Sequence, residues 1–137
     1  LEEDLWRRDF RLNSIALTLG TNSVILDPTG GLRDLAQNQL AAVKEQNFHD
    51  DPLRPLRGLR LMAQHKLLLE PQTRTFINTH ATLLSKVAPE RIQSELQRLV
   101  FVKEADEAIN LLKEEGIKIE KEKKRNFSAM SIIHCGK

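Results

Sequence analysis

A chain of 137 residues, 40% hydrophobic and 29% charged, has the size and balance of one soluble domain. Its net charge of +2 excludes a global cationic field for nucleic acid, and its single cysteine, Cys135, excludes an internal disulfide or a cysteine-built zinc site. No apolar run approaches the roughly 18 residues of a membrane span, and no signal-peptide pattern is visible, so a cytoplasmic protein without membrane contact is expected.

In chain order, the apolar residues from Phe10 to Leu19 fit helical steps, with Asp9 as the cap and Gly20 at the C′ position. Ser23–Leu26 is short, β-branched and bounded by Asn22 and Asp27-Pro28, which predicts a strand. Thr29-Gly30-Gly31 predicts a turn. A second short strand is expected over Gln39–Val43, paired with the first as a small antiparallel ladder. From Asp51 onward the pattern is helical: Pro52–Gln64, Pro71–Leu84, Pro89–Val100 and Glu104–Glu115, the last closed by Gly116. Phe76, Ile77, His80 and Leu84 share one face of the second helix. Ile92, Leu96, Leu99 and Val100 point inward on the third. Residues 117–137 are charge-dense at first, with no apolar period, and are expected to be a disordered tail.

Two clusters could carry chemistry. Arg54, Arg57 and Arg60 recur at steps of three behind Asp50-Asp51, beside a stripe of Leu53, Leu56 and Leu59. Guanidinium forks led by a carboxylate suit a ligand with phosphates and a hydrogen-bonding base edge. They also suit a solvated helix face, capped by Asp51 with Pro52 at the first position. Arg7-Arg8-Asp9-Phe10 is the second cluster. It is either an anion site at a helix start or a cap flanked by surface arginines. Gly30-Gly31 belongs to no phosphate-loop pattern, the four histidines are scattered, and no serine sits in a nucleophile elbow. Arg91 and Glu95 stand four apart, the spacing of an intrahelical ion pair.

Taken together, these segments resemble one family. Arg7-Arg8-Asp9-Phe10-Arg11-Leu12-Asn13-Ser14 resembles the R-R-D-F-T-I-N-A motif of class II tRNA nucleotidyltransferases (CCA-adding enzymes) and bacterial poly(A) polymerases. Asp27-Pro28 with Gly30-Gly31 and Asp34-Leu35 resembles their D-P-x-G-G-x-x-D-L motif. Asp50-Asp51-Pro52-Leu53-Arg54 resembles E-D-x-x-R, and Glu90-Arg91-Ile92-Gln93-Ser94-Glu95-Leu96 resembles E-R-I-x-x-E-L. Pro55 departs from the family, which usually has an aliphatic residue there.

The resemblance implies a mainly α chain with a small antiparallel β pair. Residues 1–50 would be the end of the nucleotidyltransferase head, residues 51–116 a helical neck, and residues 117–137 the charged tail. It implies a template-independent enzyme that adds C or A from CTP or ATP to a tRNA 3′ end with Mg²⁺. Asp51 and Arg54 would read the base, and Arg57 and Arg60 would bind the nucleotide further along. Arg8 and Asp9 would meet ribose and phosphates, Asp9 selecting the 2′-hydroxyl, with Asn13 in support. Asp27, Gly30, Gly31 and Asp34 would form a hinge, and Arg91 and Glu95 would brace the neck. The metal-binding D-x-D carboxylates lie upstream of R-R-D-F in the family. This chain is therefore expected to hold no catalytic or metal residues and to be inactive alone, with a separate catalytic head as a partner. The alternative is a non-catalytic nucleotide- or RNA-binding module.

Overall fold

The computed structural model describes residues 1–103 and 105–114, together with the backbone of 117–124 and 127–135. Helix α1 (Glu2–Trp6) opens the chain, followed by a single 3₁₀ turn (Arg11–Asn13). Strands β1 (Ala16–Leu17) and β2 (Ile25–Leu26) form an antiparallel pair, and α2 (Gly31–Ala36) follows. β3 (Gln39–Leu40) leads through α3 (Gln46–Asp50) to α4 (Arg54–His65), β4 (Leu68–Leu69) and α5 (Pro71–His80). A 3₁₀ stretch (Ala81–Lys86), α6 (Pro89–Val100) and α7 (Asp106–Glu114) complete the helical part. The chain is mainly α with small strand pairs.

The predicted helix over Phe10–Leu19 does not form. Phe10 is extended (φ −123°, ψ 147°) and bridges Ala42, which sends its ring into the core. The Asp9 carboxylate accepts from the Phe10 N–H at 2.9 Å, and Ser14 Oγ donates to the Phe10 carbonyl at 3.0 Å. Those local bonds compete with helical ones. The pairing also differs from expectation. β2 pairs with β1, Ala16 opposite Leu26, while β3 lies parallel to β4, Gln39 opposite Leu68. Thr73 Oγ1 anchors that second pair. It accepts from the Ala42 N–H at 2.8 Å and donates to Glu70 Oε2 at 2.6 Å.

The helices follow their apolar periods closely. On α4, Leu53, Leu56, Leu59 and Met62 are buried, and Lys66 in the left-handed region (φ 54°) ends the helix. Pro55 falls in the first turn, where its missing N–H would have had no intrahelical acceptor, so the helix accepts it. The helix starting at Pro71 stops at His80 and tightens into 3₁₀ geometry rather than running to Leu84, although Ile77, His80 and Leu84 are all buried as expected. Leu96 and Leu99 of α6 and Ala108, Leu111 and Leu112 of α7 close the core. One continuous core joins Phe10, Leu40 and Phe48 to these helices, so the segments on either side of residue 50 pack as one body. Beyond it, Ile117–Lys124 and Phe127–Cys135 pair as an antiparallel ladder where a disordered tail was expected; their side chains lie outside the described residues. Ile117 and Ile119 do alternate with Lys118 and Glu120, a short period-two pattern that suits a strand.

Candidate functional site

The two clusters read from the sequence meet at one seam. Phe10 lies against Gly58 of α4 so closely that a Cβ at residue 58 would collide with its ring. Phe48 packs on the other side of Phe10, ring centroids 5.6 Å apart. This contact brings the R-R-D-F segment beside the arginines of α4. The result is a cleft of about 360 Å³ lined by Arg8, Asp9, Asn13, Arg54 and Arg57.

Each lining group is held by an identifiable partner. Asp9 is buried, with one oxygen on the Phe10 N–H and Oδ2 at 3.1 Å from Arg57 Nη1. That second contact is an ion pair without hydrogen-bond geometry, so the buried Oδ2 makes no hydrogen bond. Arg8 donates to the Asn13 carbonyl at 3.3 Å and pairs with Asp4 at the surface. Arg54 Nη1 donates to the Asn47 carbonyl at 2.9 Å. Asp51, expected at the nucleotide site, does not line this cleft; it stands just before α4, where Oδ1 accepts from the Leu53 N–H at 3.2 Å.

Arg60 and the Arg91–Glu95 pair differ from expectation. Arg60 does not line this cleft. Its guanidinium is nearly buried and donates to Glu95 Oε2 at 2.7 Å and to Gln64 at 2.9 Å. Glu95 is itself buried and also lies 3.9 Å from Arg57 and 3.8 Å from Arg98. Arg91 turns away from Glu95 to Asp51, Nη2 to Oδ2 at 3.1 Å. Glu95 thus ties α6 to α4, and Arg91 ties it to the turn before α4, instead of the two pairing with each other. Partners beyond the helix win because Glu95 faces the core, where a buried carboxylate needs its cation, while Arg91 faces solvent.

Asp27, Gly30, Gly31 and Asp34 lie together at the start of α2. The Asp27 carboxylate accepts from Gly31 N–H at 2.7 Å and Leu32 N–H at 3.0 Å, and Gly30 takes the left-handed conformation (φ 87°). Gly31 is packed against the Arg11 carbonyl, which leaves no room for a side chain. Asp34 is 1% exposed, and burial raises its carboxyl above the usual carboxylate range, against the pull of Arg11 and Arg33.

Asn47 is a site residue the sequence did not announce. It is 1% exposed, and its amide nitrogen donates to the Trp6 and Arg8 carbonyls at 2.8 and 2.7 Å. Its own carbonyl receives Arg54. It therefore joins both walls of the cleft, yet no spacing distinguishes it from an ordinary polar residue.

Residues 1–41 match the family model described as poly A polymerase head domain, and residues 68–118 match the one described as "Probable RNA and SrmB-binding site of polymerase A". The chain belongs to the family of CCA-adding enzymes and poly(A) polymerases, which are nucleotidyltransferases. A CC-adding tRNA nucleotidyltransferase from Synechocystis is 38% identical over 98% of this chain and 32% of its own length. The Thermotoga maritima CCA-adding enzyme complexed with tRNA superposes with a TM-score of 0.79 at 26% identity, over 84% of this chain and 29% of that one. The Bacillus stearothermophilus CCA-adding enzyme in complex with CTP gives 0.74 at 35% identity, over 82% and 29%. This chain spans about a third of the length of the family members it matches.

Proposed function

We propose that this chain supplies the nucleotide-selecting part of a template-independent nucleotidyltransferase that adds C or A from CTP or ATP to a tRNA 3′ end. The observation that carries the reading is the cleft in which Arg8, Asp9 and Asn13 face Arg54 and Arg57. Guanidinium groups on both walls suit a triphosphate, and an acceptor between them suits a ribose hydroxyl. Asp9 is that acceptor. Asp51, just before α4, and Arg54, its first residue, would read the base. The carboxylate accepts from the exocyclic amine of cytosine or adenine, and the guanidinium donates to a ring acceptor; guanine offers a carbonyl where the amine is needed. Arg91 holds the Asp51 carboxylate until the base arrives. In this reading Arg60 shapes the site through Glu95, and the Asp27–Asp34 segment is the hinge.

Magnesium serves the reaction in such enzymes, but the donor set here does not fit it. Among the described residues no three His, Cys, Asp or Glu side chains lie together. Asp9 is the one carboxylate that lines the cleft. No step is therefore assigned to a metal in this chain, and residues 1–137 alone are expected to bind nucleotide without transferring it. The second reading is a non-catalytic nucleotide- or RNA-binding module. Whether a separate head restores transfer distinguishes the two. No helix among the described residues is long and apolar enough to cross a membrane.

Calorimetric titration with ATP, CTP and GTP tests the proposal. ATP and CTP should bind and GTP should not, with Asp51→Ala and Arg54→Ala each weakening binding by about tenfold or more, the effect of losing a paired base contact. Equal binding of GTP, or unchanged binding in both variants, would remove the base-reading role.

A further inference from the structure

Asn47 lies outside every motif through which the chain resembles its family. It is nonetheless buried at the junction of the cleft's two walls. Its amide nitrogen uses both hydrogens, one on the Trp6 carbonyl at 2.8 Å and one on the Arg8 carbonyl at 2.7 Å. Both acceptors are carbonyls, so the nitrogen of the amide, and not its oxygen, must face them. On the main-chain side, the Asn47 carbonyl accepts twice, from the Asp51 N–H at 3.3 Å and from Arg54 Nη1 at 2.9 Å. One residue thus grips the sugar and phosphate wall with its side chain and both base-reading residues with its backbone.

The groups around the cleft do not depend on Asn47 equally. Arg8 is held by the Asn13 carbonyl and Asp4, and Arg57 by Asp9 and Glu95. The backbone of the R-R-D-F segment has bonds of its own, from the Val43 N–H to the Asp9 carbonyl at 3.0 Å and from the Arg11 N–H to the Ala41 carbonyl at 2.9 Å. For the Arg54 guanidinium, the Asn47 carbonyl is the hydrogen-bond partner among the described residues. An arginine stem has many rotamers, so a fixed acceptor decides where its fork points. We infer that Asn47 is a positioning residue for base selection. By tying the carbonyl that holds Asp51 and Arg54 to the carbonyls of Trp6 and Arg8, it sets how far the base readers stand from the sugar wall. Hydrogen bonds to a base edge close over about 2.7–3.2 Å, so a reader displaced by about 1 Å loses its pairing. The inference rests on the proposed function and adds to it a residue that the family motifs leave out.

The test is calorimetric titration of the 137-residue chain with CTP and, separately, with inorganic tripolyphosphate, which has the phosphates but no base. Asn47→Ala should weaken CTP binding by about tenfold, the effect of a lost paired base contact, and weaken tripolyphosphate binding far less. Asn47→Gln keeps both donors but lengthens the link by one methylene, and it should also weaken CTP selectively. Most of the loss caused by Asn47→Ala should vanish in an Arg54→Ala background, because Asn47 acts through Arg54. Partial unfolding lowers the apparent affinity of both ligands by one common factor, so the ratio of the two reads the site and not the fold. An equal loss for CTP and tripolyphosphate in both variants would overturn the role and leave Asn47 as a clamp for the fold. A loss that adds in full to that of Arg54→Ala would overturn it too. Unchanged CTP binding in both Asn47 variants would overturn it while the nucleotide reading stands. A wild-type chain that does not bind CTP would remove the nucleotide reading, and this inference with it.

Discussion

The chain before Arg54 and the chain after it are ordered by different means. In the first part each element has two to six residues, too short to bury a face of its own. Side chains bonded to backbone hold it instead: Asp9 to Phe10, Asp27 to Gly31 and Leu32, Asn47 to Trp6 and Arg8. In the second part α4, α5, α6 and α7 run for nine to twelve residues and pack through apolar faces. Polar bonds fix single residues in place, whereas apolar faces tolerate exchange of like for like. The cleft lies where the two kinds of order meet, so its lining needs the precision of the first and the rigidity of the second.

Substitutions can break this contrast. Glu95→Ala should have the largest effect, because it leaves the nearly buried Arg60 without its carboxylate inside the helical part. A loss of about 3 kcal/mol in urea denaturation is expected, typical of breaking a buried pair from one side. If the loss were only a few tenths, the helical part would rest on apolar packing alone. Asn47→Ala comes next, with about 2 kcal/mol from losing the two hydrogen bonds that its buried amide makes to the Trp6 and Arg8 carbonyls. Amide exchange should accelerate at Phe10 and Arg11 before it does in α6, and uniform acceleration would dissolve the distinction between the two parts. Arg91→Ala should cost less than about 1 kcal/mol, since its pair with Asp51 is exposed.

Asp34→Asn sharpens the comparison through pH rather than through a large difference at any one value. The folded chain holds the Asp34 proton more tightly than the unfolded chain, chiefly because of burial. Its contribution to stability is therefore fully present below the ordinary value of 3.8 and is lost as pH rises through the raised folded value. The variant should gain on wild type across that window and keep the gain at neutral pH. Parallel melting curves across the acid range would refute this.

The same contrast explains what the sequence made legible. The boundaries of α6 and the buried stripe of Leu53, Leu56 and Leu59 followed from period and proline placement alone, while α4 starts at Arg54, two residues after the expected Pro52. The region around Phe10 did not, because its apolar spacing fits a helix while the bonds of Asp9 and Ser14 impose extension and a turn. Five of the seven residues expected at the nucleotide site line one cleft, and that expectation came from motif resemblance. Arg60 and Arg91 were placed differently because spacing along one helix cannot show which partner a neighbouring helix presents. Asn47 and Gly58 carried no signal at all, since their importance lies in what the fold brings against them.

Gly58 also sets an angle. An α-helix turns by about 100° per residue, so fixing one position fixes the azimuth of all the others. The Phe10 ring seated on Gly58 fixes the rotation of α4 about its axis. Arg54, four residues earlier, then lies within about 40° of the same bearing, and Arg57 about 100° from it. A flat contact between two uncharged groups thus aims both guanidinium groups. Rolling α4 by a single residue would swing them off the cleft without breaking one of its hydrogen bonds along the backbone.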